Sequence, residues 1–246
     1  MHGVWWNPVL ADVFTAFETS NFLSGKLIVI ILLAASALAW SVMVTKTREL
    51  RLAQSESDRF QRAFRGERQP LAIFLRRQAF GENPLFRIYE SGCAALCNEV
   101  MPGRDITQGL YPGEMHQDAL KLNALQVEVV RRAAERCVAD QALVLEGKMG
   151  FLMTAVSSAP LLGLLGTVWG VLDAFGEMAV KGMANLSAVA PGISGALLTT
   201  VVGLLVALPS SIGYNLLAGR IRKLAVQMDN FSQEFVAELQ RAYQQT

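Results

Sequence analysis

Two long tracts of this 246-residue chain, 149–172 and 182–219, contain no Asp, Glu, His, Lys or Arg, yet both carry threonines: Thr167 in the first, Thr199 and Thr200 in the second. A hydroxyl both donates and accepts hydrogen bonds. Hydroxyls aligned across two helices, with Gly195 leaving room beside them, can therefore hand a proton along a wet path. They cannot hold that proton as an ion near neutral pH. The nearest acids, Asp173 and Glu177, follow the first tract and are the candidates for proton uptake from the outer side. A proton pathway through these tracts needs a titrating group from somewhere else. The competing reading is that each hydroxyl only satisfies backbone or packs.

Few other residues offer chemistry. Cys93 and Cys97 share a helix face and could ligate a metal, but the chain has only two histidines, His2 and His116, and no Cys/His cluster forms. With Cys137 they read as inert thiols in a reducing compartment. Residues 46–148 show no phosphate loop and no nucleophile–base pair. Neither an enzyme nor a cofactor is expected.

The elements that must position these hydroxyls are membrane helices. A third apolar tract runs from Leu27 to Thr45, and about 20 apolar residues cross a bilayer core. A hydrophobic content of 52% against 17% charged residues fits that class. The net charge of +1 offers no basic surplus for nucleic acid. Lys46, Arg48 and Arg51 follow the first tract, and Arg220, Arg222 and Lys223 follow the third. The positive-inside rule then puts the N-terminus outside and the C-terminus in the cytoplasm.

The expected organisation is all-α. An N-terminal segment, 1–26, carries Trp5, Trp6, Val9, Leu10, Val13, Phe14 and Phe17 at helical spacing, and reads either as an amphipathic helix at the outer interface or as a helix packed against neighbouring subunits. Spans at 27–45, 149–175 and 191–218 are joined by a cytoplasmic helical segment, 46–148, and an outer loop, 176–190, and a cytoplasmic helix follows at 219–246. Gly81, Asn83 and Pro84 mark a turn, as do Pro102, Gly103, Pro112 and Gly113. A helix starting near Gly113 is expected to run unbroken into the second span. In the tail, Leu224, Met228, Phe231, Phe235 and Leu239 recur every three or four residues, predicting a buried stripe. Small residues at Gly163, Gly166, Gly170, Gly192 and Ala196 allow close helix approach. Pro160, Pro191 and Pro209 free carbonyls that need partners.

Ala159-Pro160, Gly163-Leu164, Gly166-Thr167-Val168-Trp169-Gly170, Ala190-Pro191-Gly192-Ile193, Thr200, Gly203-Leu204, Pro209 and Tyr214-Asn215 together resemble the TolQ/ExbB/MotA proton-channel family. The tail, Asp229-Asn230-Phe231 followed by Glu234-Phe235, is more similar to its TolQ branch than to ExbB. The resemblance implies a multi-pass stator of the bacterial inner membrane, with a periplasmic N-terminus. It implies a homopentameric ring around two copies of a TolR/ExbD-like single-span partner, whose Asp is the missing acid beside Thr167 and Thr200. The coupling ion would be the proton, and the work would reach a TolA- or TonB-like protein. One elementary charge crossing 100 mV releases about 2.3 kcal/mol, enough for a mechanical step.

One position departs from that pattern. TolQ and ExbB commonly carry a Glu five residues before the threonine matching Thr200, where this chain has Gly195. A ring that keeps the scaffold but has lost proton use is one alternative. A rhomboid-like serine protease is another, because Gly192-Ile193-Ser194-Gly195 has its Gly-x-Ser-Gly spacing. That chemistry needs a base in the membrane, and neither histidine is placed to supply one.

Overall fold

Helix-favouring residues run from the first apolar tract into the Arg-, Gln- and Ala-rich stretch beyond it with no Pro or Gly to interrupt them. The computed structural model, which describes residues 23–81, 83–100, 121–181 and 186–243, folds this stretch as one helix, α1 (Leu23–Gly66). The expected N-terminal helix, both histidines and the Pro102–Gly113 break lie outside the described residues. After a short α2 (Ala72–Leu75) come α3 (Pro84–Val100), α4 (Ala124–Glu146), α5 (Met149–Lys181) and α6 (Leu186–Tyr243). Among the described residues there is no strand. Three helices, α1, α5 and α6, are long and apolar enough to cross a membrane.

Local chemistry explains the ends. Gly81 takes φ +68 in the turn before α3, and Pro84 stands at the first helical position, where its missing N–H costs nothing. The Asn83 side chain accepts from Phe86 N at 2.8 Å. Helix α4 opens on a reciprocal cap: Gln126 N donates to Asn123 Oδ1 and Asn123 N to Gln126 Oε1.

Two expectations about helix limits are corrected. The helix before the second span does not run through: it ends at Gly147, and Lys148 has φ +69, a left-handed conformation that no helix interior accommodates. The connection between the second and third apolar helices is shorter than the expected 176–190. Glu177, Met178 and Ala179 are good helix formers, so α5 continues to Lys181 and α6 begins at Leu186.

The chain divides into two compact units. Among the described residues, one comprises α1 up to Thr45 with Lys148–Leu217. There Ile28 and Leu32 of α1 pack on Ala159 of α5 and on Val206 and Ala207 of α6. Much of this unit's surface is apolar: Leu27, Ile30, Leu33, Leu161, Leu205 and Leu208 are all more than half exposed. Contiguous apolar surface of that kind belongs against lipid or other protein, not water.

The other unit comprises Lys46–Gly147 and α6 from Ala218. The predicted tail stripe is its core: Leu224, Met228, Phe231, Phe235 and Leu239 are at most 1% exposed. Phe60 meets Phe64, Phe80, Phe86, Tyr89 and Phe231 at ring-centroid distances of 5.2–6.4 Å, and such pairs add about 0.5–1.5 kcal/mol each beyond burial. Tyr89 Oη accepts from Phe74 N, and burial pushes its phenol far above the ordinary range. On the rim, Arg65 grips Glu234 with two hydrogen bonds, Nε to Oε1 at 2.6 Å and Nη2 to Oε2 at 2.9 Å.

Candidate functional site: a hydroxyl seam between two helices

Helices α5 and α6 run antiparallel, and small residues set how closely they approach. A Cβ at Gly203 would lie 2.6 Å from Ala159 O. One at Gly163 would lie 2.9 Å from Thr199 O, and one at Gly192 would lie 3.1 Å from Ala174 Cβ. At Gly203 and Gly163 the obstacle is backbone, which cannot swing aside. Glycine is therefore required at both positions, where the two backbones approach closely.

The close approach places three hydroxyls on one carbonyl. Gly163 O lies within hydrogen-bond distance of Thr167 Oγ1 of its own helix at 3.1 Å, of Thr199 Oγ1 at 2.9 Å and of Thr200 Oγ1 at 3.0 Å. Thr167 Oγ1 also reaches Ala196 O at 3.3 Å, and Thr199 Oγ1 reaches the same carbonyl at 2.7 Å. Thr167 and Thr200 are hydrogen-bonded to each other through their hydroxyls.

Each hydroxyl has one proton to give, so the Thr167–Thr200 bond has two polarities. Thr167 can donate to Thr200 while Thr200 donates to Gly163 O. Alternatively, Thr200 donates to Thr167, which turns its own proton to Gly163 O or Ala196 O. The two states exchange by rotation of hydroxyls alone.

The expected lining residues do not behave alike. Thr167 and Thr200 are half-buried. Thr199 is only 1% exposed and fills the space beside Gly166. It serves the contact between the helices, which corrects its expected place on the lining. Gly195 and Gly170 are buried in the single chain as well. Asp173 and Glu177 are exposed on α5; Asp173 stands six residues beyond Thr167, about 9 Å along the helix. Pro160, Pro191 and Pro209 all sit inside continuous helices. Ser194, the serine of the protease reading, is exposed. Among the described residues no group of His, Cys, Asp and Glu could hold a metal ion.

Sequence reasoning missed the Gly163 carbonyl as the common acceptor. Half of that signal was present, because a threonine four residues after Gly163 commonly donates back to its carbonyl. The other half depended on which turn of α6 lies opposite.

Three membrane-length helices among the described residues, two of them joined by a hydroxyl seam, define a multi-pass helical membrane protein. The chain belongs to the MotA/TolQ/ExbB proton channel family, whose family model matches residues 110–230. It is 31% identical to the Tol-Pal system protein TolQ of Pseudomonas aeruginosa over 222 residues, 88% of this chain and 87% of that protein. To TolQ of Haemophilus influenzae it is 28% identical over 88% of this chain and 89% of the relative. To the biopolymer transport protein ExbB of Salmonella typhimurium it is 29% identical over 80% and 73% respectively. These two TolQ proteins are covered over more of their own length than this ExbB is.

Proposed function

We propose that this protein is the ring-forming subunit of a proton-driven stator in the bacterial inner membrane, with its N-terminus periplasmic and its C-terminus cytoplasmic. Five copies enclose two copies of a TolR/ExbD-like single-span partner. A carboxylate on the partner's span lies beside Thr167 and Thr200 and takes up the proton that this chain cannot hold. Neutralising it removes an ion from a low-dielectric site, where an unpaired charge is costly, and frees the partner to shift or turn against the ring. The work passes to a TolA- or TonB-like protein that serves envelope integrity or transport at the outer membrane. No covalent chemistry and no cofactor take part; the proton is the coupling ion.

The observation that carries this reading is the hydrogen bond between the Thr167 and Thr200 hydroxyls in two helices that carry no acid between Lys148 and Asp173 or between Lys181 and Arg220. Asp173 and Glu177, exposed beyond the seam, are the proposed uptake groups, a role made more important by Gly195 standing where relatives carry Glu.

The test is proton flux in liposomes holding this protein together with a single-span partner bearing an Asp. Flux is expected only with both chains present. Thr200→Ala should bring it to the level of this chain alone, whereas Thr200→Ser should retain most of it. Undiminished flux in the Thr167→Ala/Thr200→Ala double variant would reduce the hydroxyls to packing. Absence of flux with every TolR- or ExbD-like partner, in an intact pentamer, would favour the non-conducting scaffold.

A further inference from the structure

In the unit formed by Lys46–Gly147 and the end of α6, a cavity of about 470 Å³ opens between α1 and α6. It is lined by Arg51, Gln54, Ser55 and Asp58 on one side and Arg220 and Lys223 on the other, over Leu50 and Leu224. Leu50 and Leu224 are 3% and 1% exposed and make an apolar floor, while Arg51, Arg220 and Lys223 are exposed. Three cations face one carboxylate, and that carboxylate is already engaged: Asp58 Oδ1 accepts from Gln54 Nε2 and from Gln227 Nε2, both at 2.9 Å. Elsewhere in this unit Arg65, Arg76, Arg132 and Arg241 are each paired with a glutamate. Among the described residues, Arg51, Arg220 and Lys223 have no such partner. Converging cations without a counter-ion raise one another's energy, and a bound anion relieves that cost.

Position along the helices selects the kind of anion. Arg220 is the first charged residue after the apolar tract of α6. Arg51 lies six residues beyond Thr45, where the apolar tract of α1 ends, about 9 Å along the helix. Hydrocarbon cores of about 30 Å carry polar layers that bring the bilayer to about 40–45 Å, so both side chains reach the depth of lipid head groups. Long basic side chains extend readily at that boundary. Arg presents a planar fork that matches phosphate oxygens, and Lys adds a point charge. Ser55 supplies a hydroxyl beside them.

We propose that this cavity binds a phosphate-bearing anion, presented by the head group of an acidic phospholipid in the adjoining leaflet. The site is independent of the hydroxyl seam. It would hold α1 and α6 at the membrane surface through a lipid that contacts both.

Native mass spectrometry of the full-length protein, purified in a neutral detergent, tests this with added phosphatidylglycerol or phosphatidylcholine. Phosphatidylglycerol should be retained more strongly. Arg51→Gln, Arg220→Gln and Lys223→Gln should each weaken its retention about fivefold, and the triple substitution about a hundredfold. Arg220→Lys, which keeps the charge, should retain most of the binding, and Arg241→Gln, away from the cavity, should change nothing. Equal retention of the two lipids overturns the proposal, as does undiminished retention by a triple variant of unchanged helix content. Displacement of phosphatidylglycerol by millimolar inorganic phosphate would assign the cavity to soluble phosphates and overturn the lipid assignment.

Discussion

The side chain of Thr199 occupies the volume that a methyl group on Gly166 would need: a Cβ there would lie 2.7 Å from Thr199 Cβ and 3.0 Å from its Cγ2. Each residue limits what the other can be. Moving the helices apart to make room would also separate Thr167 from Thr200.

Gly166→Ala is therefore expected to destabilise the protein by about 1–3 kcal/mol through overpacking. Thr199→Ala in the same chain should recover part of that loss, because it deletes Oγ1 and Cγ2. Thermal unfolding of the two single variants and the double variant in detergent gives the coupling, expected to exceed about 0.5 kcal/mol. Strictly additive losses would mean that the two residues are not in contact.

Gly195 is buried within one chain, so restoring the family's glutamate there should reduce the yield of assembled protein. A carboxylate would have to enter a buried position, which is costly. Gly195→Ala should be milder. Size-exclusion chromatography of the solubilised protein measures both variants. Full assembly of Gly195→Glu would place this position on a water-filled lining after all.

The Arg65–Glu234 pair gives a pH dependence with a defined sign. Its hydrogen bond to Arg65 holds the Glu234 carboxyl below the usual glutamate value. The pair's stabilisation is complete above about pH 4.3 and is lost as pH falls through the lowered value. With Arg65 largely exposed, the pair contributes up to about 1 kcal/mol. Glu234→Gln should lower the thermal midpoint at pH 7, and the gap from the parent should narrow steadily as pH falls below about 4.3. A gap that does not change with pH would assign the effect to packing.

Burial pushes all three thiols above their ordinary values, most strongly Cys93. Alkylation by iodoacetamide at pH 7.5, followed by mass mapping, should label half-buried Cys137 before Cys93. Denaturant should equalise the two. Early labelling of Cys93 in the folded protein would reveal opening of α3.

Much of this architecture was legible in the residues because the signals were local. Leu224, Met228, Phe231, Phe235 and Leu239 recur at helical spacing, and burying that face is the only way to keep it from water. The charge-free tracts defined three spans because an unpaired ion in hydrocarbon is expensive, and the turn at Gly81–Pro84 carried its own backbone constraint. The break at Gly147–Lys148 was not legible, since a single glycine is tolerated in many helices and lysine gives no warning of a left-handed conformation.

Sequence alone therefore determined that Thr167 and Thr200 lie in apolar helices without an acid, and that small residues flank them. Only the tertiary structure decided that their hydroxyls meet over the Gly163 carbonyl while Thr199, one residue away, turns into the helix contact. A helix advances about 100° per residue, so neighbours such as Thr199 and Thr200 necessarily face different ways. Which of them faces the partner helix depends on rotation about the helix axis, and that is set by backbone contacts between residues far apart in the chain, such as Gly203 against Ala159.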